Sequence, residues 1–393
     1  MSLFALRCGV QEYAWGSTTL MAERFGWPDT DRPQAELWIG AHPLMPSAVF
    51  IDGEWSALDA LIAEDPQRWI GTRATKRFGP TLPMLMKVLA IDQPLSLQAH
   101  PSAAQAVAGF AREDAAGISR TAPERSYRDD RAKPELICAL STMDTLCGFR
   151  DLDECRLLLR AVGGSFIAFA DALQTVDDLP RLVGAILSLN SAAQQTLVDE
   201  LVASIGRLPW AAGAVIAKLV DRYPADAGVV VALLLNHITL APGEALFLPA
   251  GNMHAYLSGL GVEVMANSDN VLRGGLTPKH VDVAELVATL TPIDGQWPLA
   301  PSTVVDGVQR WSTSAAEVDL ARAQVSSVSH PTAFVVSGGP TLFVVSDGTA
   351  VIEAEGASIE LGAGDAAFAL PAASVRVSGF ATVWRAAVNF DAG

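Results

Sequence analysis

The sequence predicts a mainly β protein interrupted by one helical domain, and three observations carry that expectation. Residues 1–150 and the stretch from 237 onward consist of short apolar runs bounded by Gly, Pro and other turn residues, which is how strands read. Between them the texture changes: Leu152, Cys155, Leu158, Leu159 and Val162 recur at helical spacing, as do Ala193, Leu197, Leu201 and Ile205. Finally, LAPGEALFLPAGNMHAYLSG from Leu240 resembles LGAGDAAFALPAASVRVSG from Leu361. Each copy reads as a tight turn into a buried strand followed by a second turn, which suits a small double-sheet barrel. In this alignment His254 falls opposite Val375 or Arg376, so one copy offers a metal ligand that the other lacks.

Size and charge bound the function. At about 150 residues per domain, 393 residues make two to three domains. The texture divides them into 1–150, 151–236, 237–290 and 291–393, the last being a metal-free barrel. Half the residues are hydrophobic and mean hydropathy is positive, which excludes a disordered chain. The most apolar stretch, Gly228 to Leu235, stops at Asn236, well short of the roughly 20 residues of a membrane span. The opening MSLFALRCGVQEYAWGS lacks the basic and apolar regions of a signal peptide, so a cytoplasmic protein is expected. Lys and Arg number 27 against 43 Asp and Glu, with no basic block, which argues against nucleic acid. Cys8, Cys138, Cys147 and Cys155 show no C-x-x-C spacing and read as reduced structural thiols.

In chain order, the N-terminal region carries helical inserts around Leu58–Glu64 and Ser102–Phe110. Its most informative segment is PMLMKVLAIDQPLSLQAHPS, where Lys87 interrupts an apolar strand. Alternate residues of an extended strand share a face, so Ser96, Gln98 and His100 project together and Gln98 and His100 can reach one metal ion. In YRDDRAKPELICAL, Glu135 opens an apolar strand just after Lys133, and an inward carboxylate there needs a cation. The helical region holds four or five helices. Strand-like runs then return at Ala245–Leu248, Phe334–Val336, Leu342–Val345 and Thr382–Trp384.

His254 completes a four-ligand set with Gln98, His100 and Glu135. Two imidazoles and a carboxylate suit zinc, with Fe(II), Ni(II) and Mn(II) open by ligand type. In EVMANSDNVLRGGLTPKH, two glycines after Arg273 let the backbone approach a ligand. Three of the five lysines, Lys87, Lys133 and Lys279, fall within these segments, which points to an anionic group such as phosphate. His237, His280 and His330 have no ligand-like neighbours.

These segments resemble type I phosphomannose isomerase, the mannose-6-phosphate isomerase family. The matching pieces are QEYAWGS (11–17), AELWIGAHP (35–43), PMLMKVLAIDQPLSLQAHPS (83–102), KPEL (133–136) and the run from Pro242 to Asp282. The resemblance implies two cupin-type (jelly-roll) β-barrels with an inserted α-helical domain. It implies a monomeric zinc enzyme that interconverts mannose 6-phosphate and fructose 6-phosphate through a cis-enediol, serving mannose metabolism and GDP-mannose supply. By motif position the zinc ligands fall on Gln98, His100, Glu135 and His254, and the catalytic arginine on Arg273. The substrate pocket takes in Trp15, Lys87, Ser96, Tyr256, Glu263 and Lys279. Glu263, Lys133 and a zinc-bound hydroxide are all chemically able to serve as the base. One departure is Ala132, where the family often has His, so no histidine there takes part. Rival readings are another cupin metalloenzyme, such as an Fe(II) dioxygenase, and a non-catalytic sugar-phosphate-binding protein.

Overall fold

A computed structural model describes residues 2–28, 30–51, 53–293, 295, 299–335, 338–371 and 374–392. The chain is mainly β, as expected, with a run of helices between residues 152 and 232. Among the described residues the strands form two ten-stranded sheets, and these are not the closed barrels that the resemblance implies.

The first sheet is built on the long strand His254–Ala266. A glycine divides that strand. Gly259 has φ +113°, and a Cβ there would lie 2.6 Å from the Thr142 carbonyl oxygen. Before it, the strand pairs with Gln98 on one side and Met143–Phe149 on the other. From it onward, the partners are Met84–Ile91 and Glu135–Ala139. One strand thereby touches the segments carrying Gln98, Lys87 and Glu135.

Met84–Ile91 is buried along its whole length, because both its faces are covered. Met84, Met86, Val88 and Ala90 pack into a core shared with Phe4, Leu342, Val344, Phe368 and Trp384 of the second sheet. Leu85, Lys87 and Leu89 alternate onto the opposite face, so the inter-sheet core fixes which side Lys87 takes. A one-residue slip would turn Lys87 into that core, away from its carboxylate partners, where an unpaired charge is costly to bury.

The second sheet runs Ser302–Val305, Val308–Trp311, Asp319–Val335, Ser374–Ala387, Thr341–Ala354, Ala366–Ala369, Leu3–Arg7, Ala48–Ile51, Glu54–Ala57, with Ala357–Gly362 beside Thr341–Ala354. Strands from the first 60 residues thus complete a sheet made mostly by the last hundred, Leu3–Arg7 pairing with Ala366–Ala369. The runs expected at Phe334, Leu342–Val345 and Thr382–Trp384 lie within these strands, while Val336 lies outside the described residues.

The internal repeat has a structural counterpart. Ala245–Leu248 leads to His254–Ala266 as Ala366–Ala369 leads to Ser374–Ala387. Glu244 accepts the Ala241 N–H as Asp365 accepts the Gly362 N–H. Gly379, at φ +122°, takes the place of Gly259 in its own long strand. Counting back from the shared Ser-Gly dipeptide, His254 corresponds to Ser374, not to Val375 or Arg376, because the second turn is one residue shorter.

Six α-helices occupy the middle region among the described residues: Leu152–Val162, Phe166–Ala172, Asp178–Leu187, Ser191–Ser204, Trp210–Arg222 and Gly228–Ala232. That exceeds the expected four or five because Gly228–Ala232 is short, apolar and buried on every side, so it shows no amphipathic period. Asp151 caps the first helix by accepting the Asp153 and Glu154 N–H groups, and Asn190 caps the Ser191–Ser204 helix likewise. The inward helix faces pack on Leu97, Ala99, Met253, Ala255 and Leu257, directly behind the strand that carries Gln98. Leu58–Glu64 is helical as expected, and the second insert runs Ala103–Ala115 behind a Ser102–Gln105 capping box. Leu20–Phe25 and Pro66–Phe78 are further helices that periodicity did not flag, although Asp65 and Pro66 are a sound helix start. No helix of the described residues is long and apolar enough to cross a membrane.

Candidate metal centre and active site

His100, Glu135 and His254 converge from three segments, with donor atoms within 4.8 Å of one another. Each is at most 2% exposed. The ring orientations are set from behind. His100 Nδ1 lies 2.8 Å from the Asn270 carbonyl oxygen and His254 Nδ1 lies 3.2 Å from that of Asn252. A carbonyl only accepts, so each Nδ1 carries the proton and each Nε2 presents a lone pair. Those lone pairs lie 3.3 and 3.4 Å from the two Glu135 oxygens. Neither Nε2 nor Glu135 Oε2 has a hydrogen-bond partner, although all three atoms are buried. Acceptors facing acceptors in a dry site are unfavourable until a cation sits between them.

The electrostatics agree. Burial holds His100 down to about 4, so its ring is neutral and ready to donate. Burial opposes the charge on Glu135, yet the Lys133 ammonium 2.9 Å away holds its carboxyl well below the ordinary range. Gln98 stands directly opposite His254 in register. Such pairs share a face with Cβ atoms about 4.5–5.5 Å apart, within amide reach of the same point.

The adjoining wall is a cross-strand ladder in which Trp38 is opposite Lys87 and Lys87 is opposite Glu263. Lys87 Nζ lies 3.0 Å from Glu36, 3.9 Å from Glu263 and 4.9 Å from the Trp38 ring centroid. Burial works against its charge, but these carboxylates raise it above the ordinary lysine value. Glu263 behaves oppositely. Burial and then the Glu135 charge push its carboxyl up to about 7, and Tyr256 donates its hydroxyl to it at 2.9 Å.

Beside the metal-ligand cluster opens a cavity of about 510 Å³. Trp15, Lys87, Ser96, Gln98 and Lys133 line it from the first half of the chain. Glu135, Tyr256, Glu263, Arg273 and Lys279 line it as well, while His100 and His254 are buried behind it. Arg273 pairs in register with Gln98 and is therefore one strand removed from the donor cluster. Arg128 also lines the cavity. Burial and Arg128 lower the Arg273 value, and burial, Arg273 and Arg128 lower that of Lys279. No ion pair among the described residues joins Arg128, Arg273 or Lys279 to a carboxylate, so together they suit a multiply charged anion.

Residues 3–152 match the family model "Phosphomannose isomerase type I, catalytic domain". The mannose-6-phosphate isomerase of Escherichia coli strain K12 is 44% identical over 289 residues, 72% of this chain and 73% of that protein. The chain belongs to the mannose-6-phosphate isomerase family. The human mannose-6-phosphate isomerase is 35% identical over 320 residues, 74% of this chain and 73% of its own length. A mutant of phosphomannose isomerase from Salmonella typhimurium superposes with a TM-score of 0.93 at 33% identity, over 99% of this chain and all of that one. A zinc-bound mannose 6-phosphate isomerase superposes with a TM-score of 0.91 at 34% identity, with the same coverage.

Several polar residues of this pocket escaped the sequence reading, among them Glu36, His42, Arg128 and Asp269. Glu36 could have been found, since it shares a strand face with Trp38 in AELWIGAHP. His42 takes the Leu44 N–H on Nδ1, which leaves its Nε2 proton facing Asp269 at 3.4 Å. Burial opposes ionisation of Asp269, but that contact keeps its carboxyl below the ordinary value. Arg128 and Asp269 lie on loops without periodicity, tied together through Asp129 and Asn270, and carried no signal.

Proposed function

We propose that this chain is a zinc-dependent aldose–ketose isomerase that interconverts mannose 6-phosphate and fructose 6-phosphate. The observation that carries the reading is the buried set of facing lone pairs on His100, Glu135 and His254. With Gln98 as fourth donor, this nitrogen and oxygen set suits zinc. When bound, zinc supplies a Lewis acid that steadies negative charge on the sugar oxygens nearest the reacting carbons.

The chain's own residues divide the remaining work. Lys279 and Arg128, with Ser96 on the same cavity, anchor the phosphate, a remote handle that orients the reacting carbons. Lys87 is already neutralised by Glu36 and Glu263, so its part is to hold Glu263 rather than to meet the phosphate. Trp15 and Tyr256 border the cavity where an apolar sugar face would pack. Glu263 removes the proton from C2 of the open-chain aldose and returns it to C1, while the hydroxyl proton passes from O2 to O1. A carboxyl pushed up to about 7 suits such shuttling near neutrality, whereas the Lys133 ammonium is tied to Glu135. Arg273 stays protonated and stabilises the enediolate charge.

The two sheets and their repeat support two cupin-type units around an inserted helical domain. The division is 1–150, 151–236, 237–290 and a metal-free 291–393, with Leu3–Arg7, Ala48–Ile51 and Glu54–Ala57 serving the last unit. A monomer is part of this proposal, and the free cysteines support the reducing cytoplasm. Metal analysis and a coupled assay test the function. About one zinc per chain, with turnover of mannose 6-phosphate lost on chelation and restored by zinc, is expected. A zinc-loaded protein without turnover, or iron-dependent oxygen uptake, would overturn it.

A further inference from the structure

Arg273 ends the short strand Leu272–Arg273, and the segment after it is held from two sides. On the sheet side, the Gly274 N–H donates to the Leu97 carbonyl and the Leu97 N–H donates to the Gly275 carbonyl, at 2.8 and 3.1 Å. On the other side stands Asp226, in the turn between the last two helices of the insertion. Its Oδ2 accepts the Thr277 N–H at 2.9 Å and its Oδ1 accepts the Gly228 N–H at 2.7 Å. The backbones nearly touch there. A Cβ added to Gly275 would lie 2.6 Å from Gly228 Cα, so glycine is required at this crossing.

Leu276, between these anchors, has φ +54° and is 1% exposed. A leucine rarely takes the left-handed region, and it persists there only where its surroundings over-determine it. Its surroundings are the core of the helical insertion. The same insertion reaches the cavity rim through Tyr223, whose hydroxyl donates to the Pro94 carbonyl at 2.9 Å.

We propose that Asp226 is a positioning residue for Arg273: its carboxylate fixes the Gly275–Leu276–Thr277 segment and through it the place of the guanidinium beside the substrate. The inference rests on Arg273 stabilising charge in the reaction. A carboxylate offers acceptors to both N–H groups, whereas an amide of the same shape offers one and turns its own donors towards the other. Asp226→Asn therefore releases one anchor without changing volume.

The test is steady-state kinetics with mannose 6-phosphate on the zinc-loaded protein, comparing Asp226→Asn, Arg273→Lys and the double variant. Asp226→Asn is expected to lower kcat about 10–100-fold, as small misplacements do, and by more than it raises KM through the nearby Lys279, with zinc content and unfolding temperature near those of the parent. In the Arg273→Lys background the same change is expected to alter kcat less than about twofold, since residues acting through one another are not additive. An equal loss in both backgrounds, or no loss in either, overturns the proposal. So does failure of Asp226→Asn to fold or to hold zinc, because the carboxylate would then carry the fold rather than one loop. If Arg273→Lys alone leaves kcat unchanged, it is the role given to Arg273 that fails.

Discussion

Lys87 lies directly opposite Glu263 on the neighbouring strand, yet its ammonium sits closer to Glu36, at 3.0 Å against 3.9 Å. One cation is thus shared unequally between two buried acids. Glu263 is left the under-neutralised partner, which is why burial prevails and its carboxyl rises to about 7.

This imbalance sets a pH dependence in the metal-free protein. The folded-state value of Glu263 lies above its ordinary 4.5, so its contribution to stability is full below about 4.5 and is lost as pH rises through about 7. Glu263→Gln should remove that loss while keeping a partner for the Tyr256 hydroxyl. Urea unfolding of both proteins in chelator, at steps from pH 5 to 8, should show the variant gaining on the parent as pH rises. A constant difference across that range would count against the assignment.

Removing a donor should empty the metal site. His254→Ala is expected to lose most bound zinc and most activity, and chelation should lower the unfolding temperature of the parent, because a ligand bound only to the native state stabilises it. Metal content by mass spectrometry checks this. Full occupancy in His254→Ala, or a second zinc held by residues 291–393, would refute the reading of the site.

Arg273 and Lys279 should separate kinetically. Loss of a donor to developing charge typically costs about 10²–10³ in rate, so Arg273→Ala should lower kcat far more than it raises KM. Lys279→Ala and Arg128→Ala should act mainly on KM. An Arg273→Ala variant with a raised KM and an unchanged kcat would make the arginine a phosphate clamp.

Stability should depend on the core between the sheets, independently of chemistry. The Trp69 ring lies 5.1 Å from that of Phe4 and 5.9 Å from that of Phe368, bridging the two ends of the chain. Trp69→Ala is expected to cost about 3–5 kcal/mol in urea unfolding while leaving zinc stoichiometry intact. A change below about 1 kcal/mol would mean that the cavity collapses without penalty.

The three convergent metal-site donors were legible because each stands at or beside a strand end, where alternation fixes its face. Helices were legible where an apolar stripe recurs at helical spacing; Gly228–Ala232, buried all round, has no stripe to read, and Leu20–Phe25 and Pro66–Phe78 went unflagged. Strand partnership was not legible. Nothing near Leu3 announces Ala369, and nothing near Arg128 announces Asn270, since both relations depend on contacts far away in the chain. The decayed repeat was visible, but sequence spacing alone placed His254 opposite the wrong residue.

Leu3–Arg7 and Ala366–Ala369 also set an order of events in the cell. A ribosome delivers the first of these strands hundreds of residues before its partner. Throughout that interval only the Leu6–Arg7 end of the strand has a partner, in Ala48–Ile51, while Leu3 and Phe4, both buried in the finished protein, lack theirs. Such distant pairing slows folding and leaves an unpaired strand open to other chains. The terminal sheet should therefore be the part of this enzyme that most needs a chaperone during translation.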